Sequence, residues 1–531
     1  MRFRVPSRVF ALLAALAASF VAASPCLAQL TQARVAEGAL AGKPEGPVGA
    51  FLGVPFAAPP VGAHRWTPPR AAAKWKGERK ADQFAASCQQ TVSPQGFGPW
   101  TAEYVVQGAV SEDCLYLNIW TPAHNAQDRL PVLVWIYGGG FRSGSGSVAL
   151  YDGAALAAKG IVVVSVNYRV GVYGFLAHPE LTAESPAHAS GNYGLLDQVA
   201  GLRWVRDNIA AFGGDATQVT IAGQSAGAAS VHYLIASPLA KGLFARAIAQ
   251  SGSGIMGLAA PDRATAEALG KALGEGAGRS LTLAQLRDLS AAQLDERVAK
   301  LASDDPPRRF GPIVDGFFLP DAQSVGRNLN DTPILTGMTA NEMTGLDPDY
   351  GKTTAASFEA QVKTVYGKFA QQVRVFYPAT TDEEARASLD ALTRDRGLAA
   401  MDFWARERLS TTRHPIYAYL WTHPEPGPEA ARYGAFHSSE LPYVFGTLDT
   451  SKRPFAPVDR MLAKELSTYW VNFVKAGDPN GDGAVHWPRF TADGKQILEL
   501  GEATRARPIL EHAQLTLFDQ FVKGGGAVSL F

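Results

Sequence analysis

Short apolar runs alternate with amphipathic segments along most of this chain. Apolar runs typical of buried β-strands occur at 130–137, 160–167, 218–222 and 416–421, and another begins at 334–335. Near-continuous apolar runs of this length favour a parallel sheet that is covered on both faces. Segments such as 196–211 and 262–273 have the pattern of helices, and the second follows a proline and ends at a glycine. The alternation therefore predicts an α/β fold, with a mostly parallel central sheet and helices on both faces.

The stretch from about 345 to 410 differs from this alternation, because it has a helical pattern and no clear strand. It is rich in Ala, Lys, Glu and Asp, and we expect it to form helices inserted above the sheet. No long linker, internal repeat or low-complexity tract interrupts the rest of the chain. The sequence therefore predicts a single domain, residues 29–531, with a helical insertion at about 345–410.

The first 28 residues have the composition of a secretory signal. Three arginines precede an apolar run at 9–23, and small residues end the segment at Ala28. The run is too short for a typical membrane span, although an N-terminal anchor helix is the alternative. We therefore expect export to the periplasm or the medium after cleavage near Ala28, with no membrane span left. The chain carries 49 basic and 49 acidic side chains, which indicates no nucleic-acid partner.

Two cysteines, Cys88 and Cys114, remain once the predicted signal with Cys26 is removed. An even pair in an exported protein predicts one disulfide, and two free buried thiols are the alternative. No Cys/His cluster has the spacing of a zinc site. The segment Asp478–Gly483 resembles part of a calcium loop but lacks the glutamate at the twelfth position, so tight turns explain it better. We predict no metal and no cofactor.

The segment Gly223–Gly227, with the sequence Gly-Gln-Ser-Ala-Gly, stands between the predicted strand 218–222 and a predicted helix at 228–235. The five-residue pattern also arises by chance as a glycine-lined turn, but a serine at a strand-to-helix turn is typical of a nucleophile elbow. Side chains at the two glycine positions would collide across the turn. A serine hydroxyl becomes nucleophilic when a histidine removes its proton and a carboxylate orients that histidine.

Candidates for the acid and the base follow the serine in the chain, which is the order expected for this kind of turn. Glu342 is our choice for the acid because it lies just after the strand that begins at 334–335. Asp315 and Asp347 are rivals by position. For the base, His437 lies in a loop with small neighbours, whereas His423 ends a predicted strand. Position alone does not separate these two histidines.

Three consecutive glycines, Gly138–Gly140, directly follow the predicted strand 130–137. Without a Cβ, the amides of Gly139 and Gly140 can approach a substrate closely. Together with the amide of Ala226 they predict an oxyanion hole with three donors. A phosphate-binding loop is the alternative, but the Gly-Lys-Ser/Thr sequence of such loops does not follow.

Several segments resemble the type-B carboxylesterase and lipase family, which includes the cholinesterases. The similarity covers most of the chain after residue 28 and is carried by Gly53–Gly62, Glu112–Asn118, Asn167–Arg169, Gly191–Gln198, Gln250–Gly252, Val314–Gly316 and Gly477–Gly481. The resemblance implies the α/β-hydrolase fold, with the helical insertion over the active site. It also implies a serine carboxylic ester hydrolase that forms an acyl-enzyme with a small-molecule ester and needs no cofactor or metal.

Carried over residue by residue, the resemblance implies a catalytic triad of Ser225, Glu342 and His437. It further implies an oxyanion hole formed by the amides of Gly139, Gly140 and Ala226. Ser251 would donate a hydrogen bond near the triad. Cys88 and Cys114 would form the first disulfide of the family. The choline-binding tryptophan of the cholinesterases has no clear counterpart, although Trp100 and Tyr104 lie near that region. Hydrolysis of an amide, carbamate or specialised ester, or a non-catalytic adhesion role, are the alternatives within the same family.

Overall fold

A computed structural model of the chain describes Met1 and residues 29–252, 260–275, 280–302, 309–322, 328–347 and 349–529. The secretory signal predicted at 1–28 lies outside the described residues apart from Met1. The strands of the described part are β1 Gln32–Val35, β2 Gly38–Ala41, β3 Lys43–Glu45, β4 Val48–Pro55, β5 Glu78–Lys80, β6 Ser87–Cys88, β7 Val110–Ser111, β8 Tyr116–Thr121, β9 Leu130–Ile136, β10 Val162–Val166, β11 Gly214–Gln224, β12 Arg246–Gln250, β13 Ile334–Thr339, β14 Ile416–Trp421, β15 Gln496–Leu500 and β16 Arg505–Pro508.

The helices of the described part fall mainly between these strands. They are α1 Ala154–Ala157, α2 Gly171–Phe175, α3 Pro179–Glu184, α4 Tyr193–Asn208, α5 Ala226–Ala236, α6 Arg263–Gly274, α7 Leu283–Asp288, α8 Ala291–Ala302, α9 Ala355–Tyr366, α10 Ala370–Phe376, α11 Asp382–Leu409, α12 Ala430–Tyr433, α13 Leu441–Phe445, α14 Pro457–Ala476 and α15 His512–Lys523. The stretch predicted to be helical at about 345–410 contains α9, α10 and α11. The helix predicted at 196–211 is α4, which continues as a 3-10 turn over Ile209–Phe212.

One sheet of 11 strands forms the centre of the molecule, in the order β16-β15-β14-β13-β12-β11-β9-β10-β8-β4-β3. The strands from β15 to β10 run parallel to their neighbours. Antiparallel strands complete both edges, with β16 on one side and β8, β4 and β3 on the other. The prediction of a mostly parallel sheet is therefore confirmed, because the antiparallel pairs are confined to the edges.

Local sequence explains where the major helices begin and end. The Asp262 side chain accepts a 2.8 Å hydrogen bond from the Thr265 amide and caps α6. Helix α11 begins with three acidic residues, which favour the positive end of the helix dipole. Helix α14 has Pro457 at its first turn and ends at Gly477, whose φ of 71° is readily adopted by glycine. Helices α4, α5 and α14 pack against β11, the strand that leads to the serine turn.

The predicted disulfide is present: Cys88 and Cys114 are bonded, with their Cα atoms 4.9 Å apart. Cys88 ends β6 and Cys114 precedes β8, so the bond ties the segment 88–114 to the start of β8 in the main sheet. Both residues are fully buried. Across the described ranges, none of the helices combines the length and apolar character that crossing a membrane requires.

Candidate active site

Ser225 lies between the last residue of β11 and the first residue of α5. Its backbone has φ 59° and ψ −126°, a conformation that non-glycine residues rarely adopt. A Cβ on Gly223 would lie 2.5 Å from the carbonyl carbon of Gly227, and one on Gly227 would overlap the carbonyl oxygen of Ile136. The two glycines are therefore required by close backbone contacts, and the strained turn presents the half-buried Ser225 at the end of the central strand.

The loops that carry Glu342 and His437 are joined to each other. Glu342 follows β13, and His437 lies between α12 and α13. The amide of Asn341 donates to the carbonyl oxygen of Ala435 over 3.0 Å, and the Asn341 side-chain oxygen accepts from the Ala435 amide over the same distance. As a result, Nδ1 of His437 donates a hydrogen bond to Oε2 of Glu342. Both residues are almost fully buried: His437 is 4% exposed and Glu342 is 1% exposed.

Glu342 keeps a negative charge despite its burial. Its second oxygen, Oε1, accepts hydrogen bonds from the Ser251 hydroxyl over 2.6 Å and from the Thr339 amide over 2.8 Å. Burial by itself raises the pKa of Glu342, but the interaction with His437 and the hydrogen bonds from His437, Ser251 and Thr339 lower it overall. The structure thus brings together Glu342, His437 and Ser251, all of which were selected from the sequence.

Gln224 connects the histidine to the serine turn. Its side-chain amide donates to Nε2 of His437 over 3.1 Å, and Gln224 directly precedes Ser225. With Nδ1–H donated to an ionised carboxylate, Nε2 is the ring nitrogen with a lone pair. His437 therefore presents an acceptor nitrogen towards the turn that holds Ser225, in the tautomer that a general base requires.

The alternative candidates for the base and the acid make contacts outside the Glu342–His437 pair. His423 donates from Nε2 to Asp459 over 2.8 Å, and Asp459 lies on α14, so this second histidine–carboxylate pair binds α14 to the end of β14. Asp315 accepts three backbone amides, those of Phe317, Phe318 and Leu319, and so stabilises its own turn. Asp347 accepts the amide of Asp349. Within the described ranges neither aspartate contacts a histidine.

The glycine loop lies directly against the serine turn. A Cβ on Gly138 would be 2.6 Å from the carbonyl oxygen of Gln224 and 3.0 Å from Cβ of Ser225, so only glycine fits there. Gly139 and Gly140 are exposed and have φ of 112° and 63°. Among the residues described, none accepts a hydrogen bond from either amide. Ala226 begins α5, and its amide has no acceptor within the helix.

Two further residues near His437 were not selected from the sequence for this role. The indole N–H of Trp100 donates to the carbonyl oxygen of His437 over 3.1 Å, which ties the histidine loop to a segment 337 residues away. Glu440 is fully buried three residues after His437 and accepts a 2.9 Å hydrogen bond from Gln250. Burial and the nearby Glu342 raise the pKa of Glu440 to about 7. In the sequence, the feature that could have pointed to Glu440 is its position three residues after His437 in the same loop.

No group of three or more His, Cys, Asp or Glu side chains suited to a metal ion occurs in the part of the chain that the structure describes. The groups that the structure brings together at the site are a serine on a strained turn, a buried histidine–glutamate pair, and the amides of Gly139, Gly140 and Ala226 beside them. This combination suits nucleophilic attack on a carbonyl carbon, because it pairs a candidate nucleophile and base with donors for a negatively charged oxygen.

Comparison with known proteins identifies the family of this chain. The model of the carboxylesterase family matches residues 29–518. The fumonisin B1 esterase of Sphingopyxis macrogoltabida is 38% identical over 497 residues, which cover 90% of this chain and 87% of that protein. The chain therefore belongs to the carboxylesterase family, has the α/β-hydrolase fold of that family, and is a carboxylic ester hydrolase.

Proposed function

We propose that this carboxylic ester hydrolase works through a Ser225–His437–Glu342 triad and an acyl-enzyme intermediate. The observation that carries the proposal is the state of His437. Its Nδ1–H is held by the buried Glu342, and its Nε2 faces the side chain of Gln224, the residue next to Ser225. A histidine oriented in this way can take a proton at Nε2 while its positive charge is stabilised by the glutamate.

In the proposed first half-reaction, the Ser225 hydroxyl oxygen attacks the ester carbonyl carbon while Nε2 of His437 takes its proton. The carbonyl oxygen becomes negatively charged and accepts hydrogen bonds from the amides of Gly139, Gly140 and Ala226. Loss of one such donor typically costs about 3 kcal/mol of transition-state stabilisation. His437 then gives the proton to the alkoxy oxygen, the C–O bond breaks, and the alcohol leaves an ester on Ser225.

In the second half-reaction, water takes the place of the alcohol. Nε2 of His437 removes a proton from the water as its oxygen attacks the acyl carbon, and the same amides hold the oxyanion. The proton returns to the serine oxygen as the bond between serine and acyl group breaks. Free carboxylic acid and the resting enzyme result, so one histidine acts alternately as base and acid.

Hydrolysis of p-nitrophenyl butyrate by the purified chain tests the triad. Replacing Ser225 with alanine is expected to lower kcat by about 10⁴-fold or more, whereas the control Ser357→Ala, at an exposed serine of α9, keeps wild-type activity. A fluorophosphonate probe should add its mass to the peptide that contains Ser225. Equal hydrolysis by wild type and Ser225→Ala, or labelling of another residue alone, would overturn the proposal.

We also propose that the protein is exported with residues 1–28 removed. The support is the signal-like composition of that segment and the buried Cys88–Cys114 disulfide, since disulfides persist mainly in oxidising compartments. Expression of the full chain in a bacterium with a periplasm, followed by fractionation and N-terminal sequencing, is expected to give exported protein that begins at Gln29. Cytoplasmic protein that retains the arginine-containing segment would contradict export.

The identity of the ester is a separate question from the mechanism. The relative from S. macrogoltabida is a fumonisin B1 esterase, so we propose fumonisin B1 as a second assay substrate beside p-nitrophenyl butyrate. Release of hydrolysis products by wild type and not by Ser225→Ala would show that this substrate is shared. Hydrolysis of the butyrate alone would show that the triad operates on other esters.

A further inference from the structure

A charged side chain lies beside the glycine loop and has no part in the proposed triad. Arg142 follows Gly140 by two residues, and its amide donates to the carbonyl oxygen of Gly139 over 3.1 Å, which turns the chain back on itself. The side chain folds over Gly140: a Cβ built on Gly140 would lie 3.5 Å from Nε and 3.7 Å from Nη2 of Arg142. Gly139, Gly140 and Arg142 are all exposed. The guanidinium therefore lies against Gly140 on the exposed side of the glycine loop.

Arg142 has no counter-charge among the residues that the structure describes. Its guanidinium forms no ion pair or hydrogen bond with any of them, and none of their carboxylates raises its pKa. Desolvation by neighbouring atoms lowers the pKa of Arg142, and repulsion from Arg309 lowers it further. Arg169 differs from Arg142 in this respect, because its guanidinium forms an ion pair with the carboxylate of Asp197 at 2.8 Å.

A guanidinium binds a carboxylate through two parallel N–H donors with defined geometry. Arg142 has no such partner among the described residues, so its donors are available to a ligand. The position of Arg142 over Gly140 places such a carboxylate next to the proposed oxyanion loop. The ligand chemistry is therefore that of an ester with a second, ionised carboxylate a few bonds from the scissile carbonyl.

We propose that Arg142 forms an anion subsite that selects esters carrying a free carboxylate. The inference rests on the proposed function, because the subsite is defined by its position beside the proposed oxyanion loop. The carboxylate belongs either to the acyl part or to the alcohol part of the ester. Because Arg142 is exposed, added salt weakens the preference for charged substrates.

Two matched pairs of esters test the proposal. Monoethyl glutarate is compared with the ethyl ester of glutaramic acid, which has the same length and a neutral amide on the acyl side. For the alcohol side, 3-(butanoyloxy)propanoate is compared with its primary amide. The ratio of kcat/KM for the charged over the neutral ester isolates the contribution of the carboxylate. In wild type we expect this ratio to exceed about 10 for one of the pairs, which also shows the side that carries the charge.

In Arg142→Gln the ratio should fall about 10-fold or more, and Arg142→Lys should restore part of it because the charge is retained. Arg505→Gln, at an exposed arginine of the edge strand β16, is the matched control and should keep the wild-type ratio. A ratio near 1 in wild type, or an equal ratio in wild type and Arg142→Gln, would overturn the subsite.

Binding of glutarate provides a readout that does not depend on turnover. Calorimetry is expected to give a dissociation constant about 10-fold weaker for the double variant Ser225→Ala, Arg142→Gln than for Ser225→Ala. Equal affinities would overturn the subsite even if the triad is correct. Conversely, a difference in affinity with no ester hydrolysis by wild type would support the subsite and contradict the proposed function.

Discussion

The hydroxyl of Ser251 donates a 2.6 Å hydrogen bond to Oε1 of Glu342, the carboxylate oxygen that does not contact His437. Ser251 directly follows β12 and is fully buried at a φ of 55°. Its amide also donates to the carbonyl oxygen of Gly337 on β13 over 2.7 Å. Strand β12 lies between β11, which leads to Ser225, and β13, which leads to Glu342. The residue that follows β12 therefore fixes the orientation of the Glu342 carboxylate and leaves Oε2 to accept from the imidazole of His437.

Removal of this hydroxyl should weaken catalysis and change its pH dependence. A hydrogen bond to a charged group contributes about 1.5–3 kcal/mol, so Ser251→Ala should lower kcat/KM for p-nitrophenyl butyrate about 10- to 100-fold. The bond also lowers the pKa of Glu342, so its loss raises that pKa and moves the acidic limb of the pH–rate profile to higher pH. Ser237→Ala, which removes a hydroxyl bonded to the carbonyl of Phe318, is the control. An unchanged profile in Ser251→Ala would contradict this role.

The two histidine–carboxylate pairs should respond differently to alanine substitution. His437→Ala removes the proposed base and should lower kcat by about 10⁴-fold or more while the protein remains folded. His423→Ala instead breaks the 2.8 Å bond to Asp459 on α14 and should lower the free energy of unfolding by about 1–3 kcal/mol, with kcat kept within about 10-fold. Urea unfolding and kcat measured on both variants separate these roles. Near-normal activity of His437→Ala would rule out that residue as the base.

Glu440 should make stability fall as pH rises from about 4.5 to about 7. Its pKa is raised from 4.5 to about 7 in the folded protein, mainly by burial. Between these values the folded state keeps a proton that the unfolded chain has released, so the free energy of unfolding decreases by about 3 kcal/mol. Glu440→Gln should remove this part of the pH dependence, as measured by urea unfolding between pH 5 and 8. The exposed Glu359→Gln serves as control, and identical curves for wild type and Glu440→Gln would refute the assignment.

The centre of the sheet was predictable because its strands are continuous apolar runs. Strands β9, β10 and β14 coincide closely with the runs in the sequence. Strand β12 was not predicted, since its sequence Arg-Ala-Ile-Ala-Gln has a single β-branched residue. The burial of β12 between β11 and β13 stabilises it as a strand, and such tertiary context has no counterpart in local propensity.

The candidate site was predictable where a residue lies in a recognisable motif or follows a strand. Glu342 and Ser251 meet in the structure because β12 and β13 are neighbours, and chain order and motif resemblance had already selected both. The bond of Trp100 to the His437 carbonyl and the position of Arg142 over Gly140 were not predictable. Both depend on how loops fold over the end of the sheet, which periodicity does not specify.

The Cys88–Cys114 disulfide should contribute measurably to stability. It closes a loop with a sequence separation of 26 residues, for which the chain-entropy model gives about 3 kcal/mol. Replacing both cysteines with alanine should lower the free energy of unfolding by about this amount. Because the loop contains Trp100, which donates to the His437 carbonyl, kcat for p-nitrophenyl butyrate should also fall by a few-fold. Wild type treated with a reductant before urea unfolding should behave like the double variant. Equal stability of oxidised and reduced protein would contradict the prediction.

A single methyl group added to the serine turn should impair both folding and catalysis. In Gly227→Ala the new Cβ overlaps the carbonyl oxygen of Ile136, the last residue of the neighbouring strand β9, so the backbone of α5 must move. Overpacking of this kind typically costs about 1–3 kcal/mol of stability. Movement of the helix start also displaces the Ala226 amide from the oxyanion position, so kcat should fall about 100-fold or more.

Gly108→Ala, at a loop glycine with no heavy atom within 4 Å of its Cβ position, should match wild type in urea unfolding and kcat. Wild-type activity of Gly227→Ala would mean that the strained turn is not needed for catalysis.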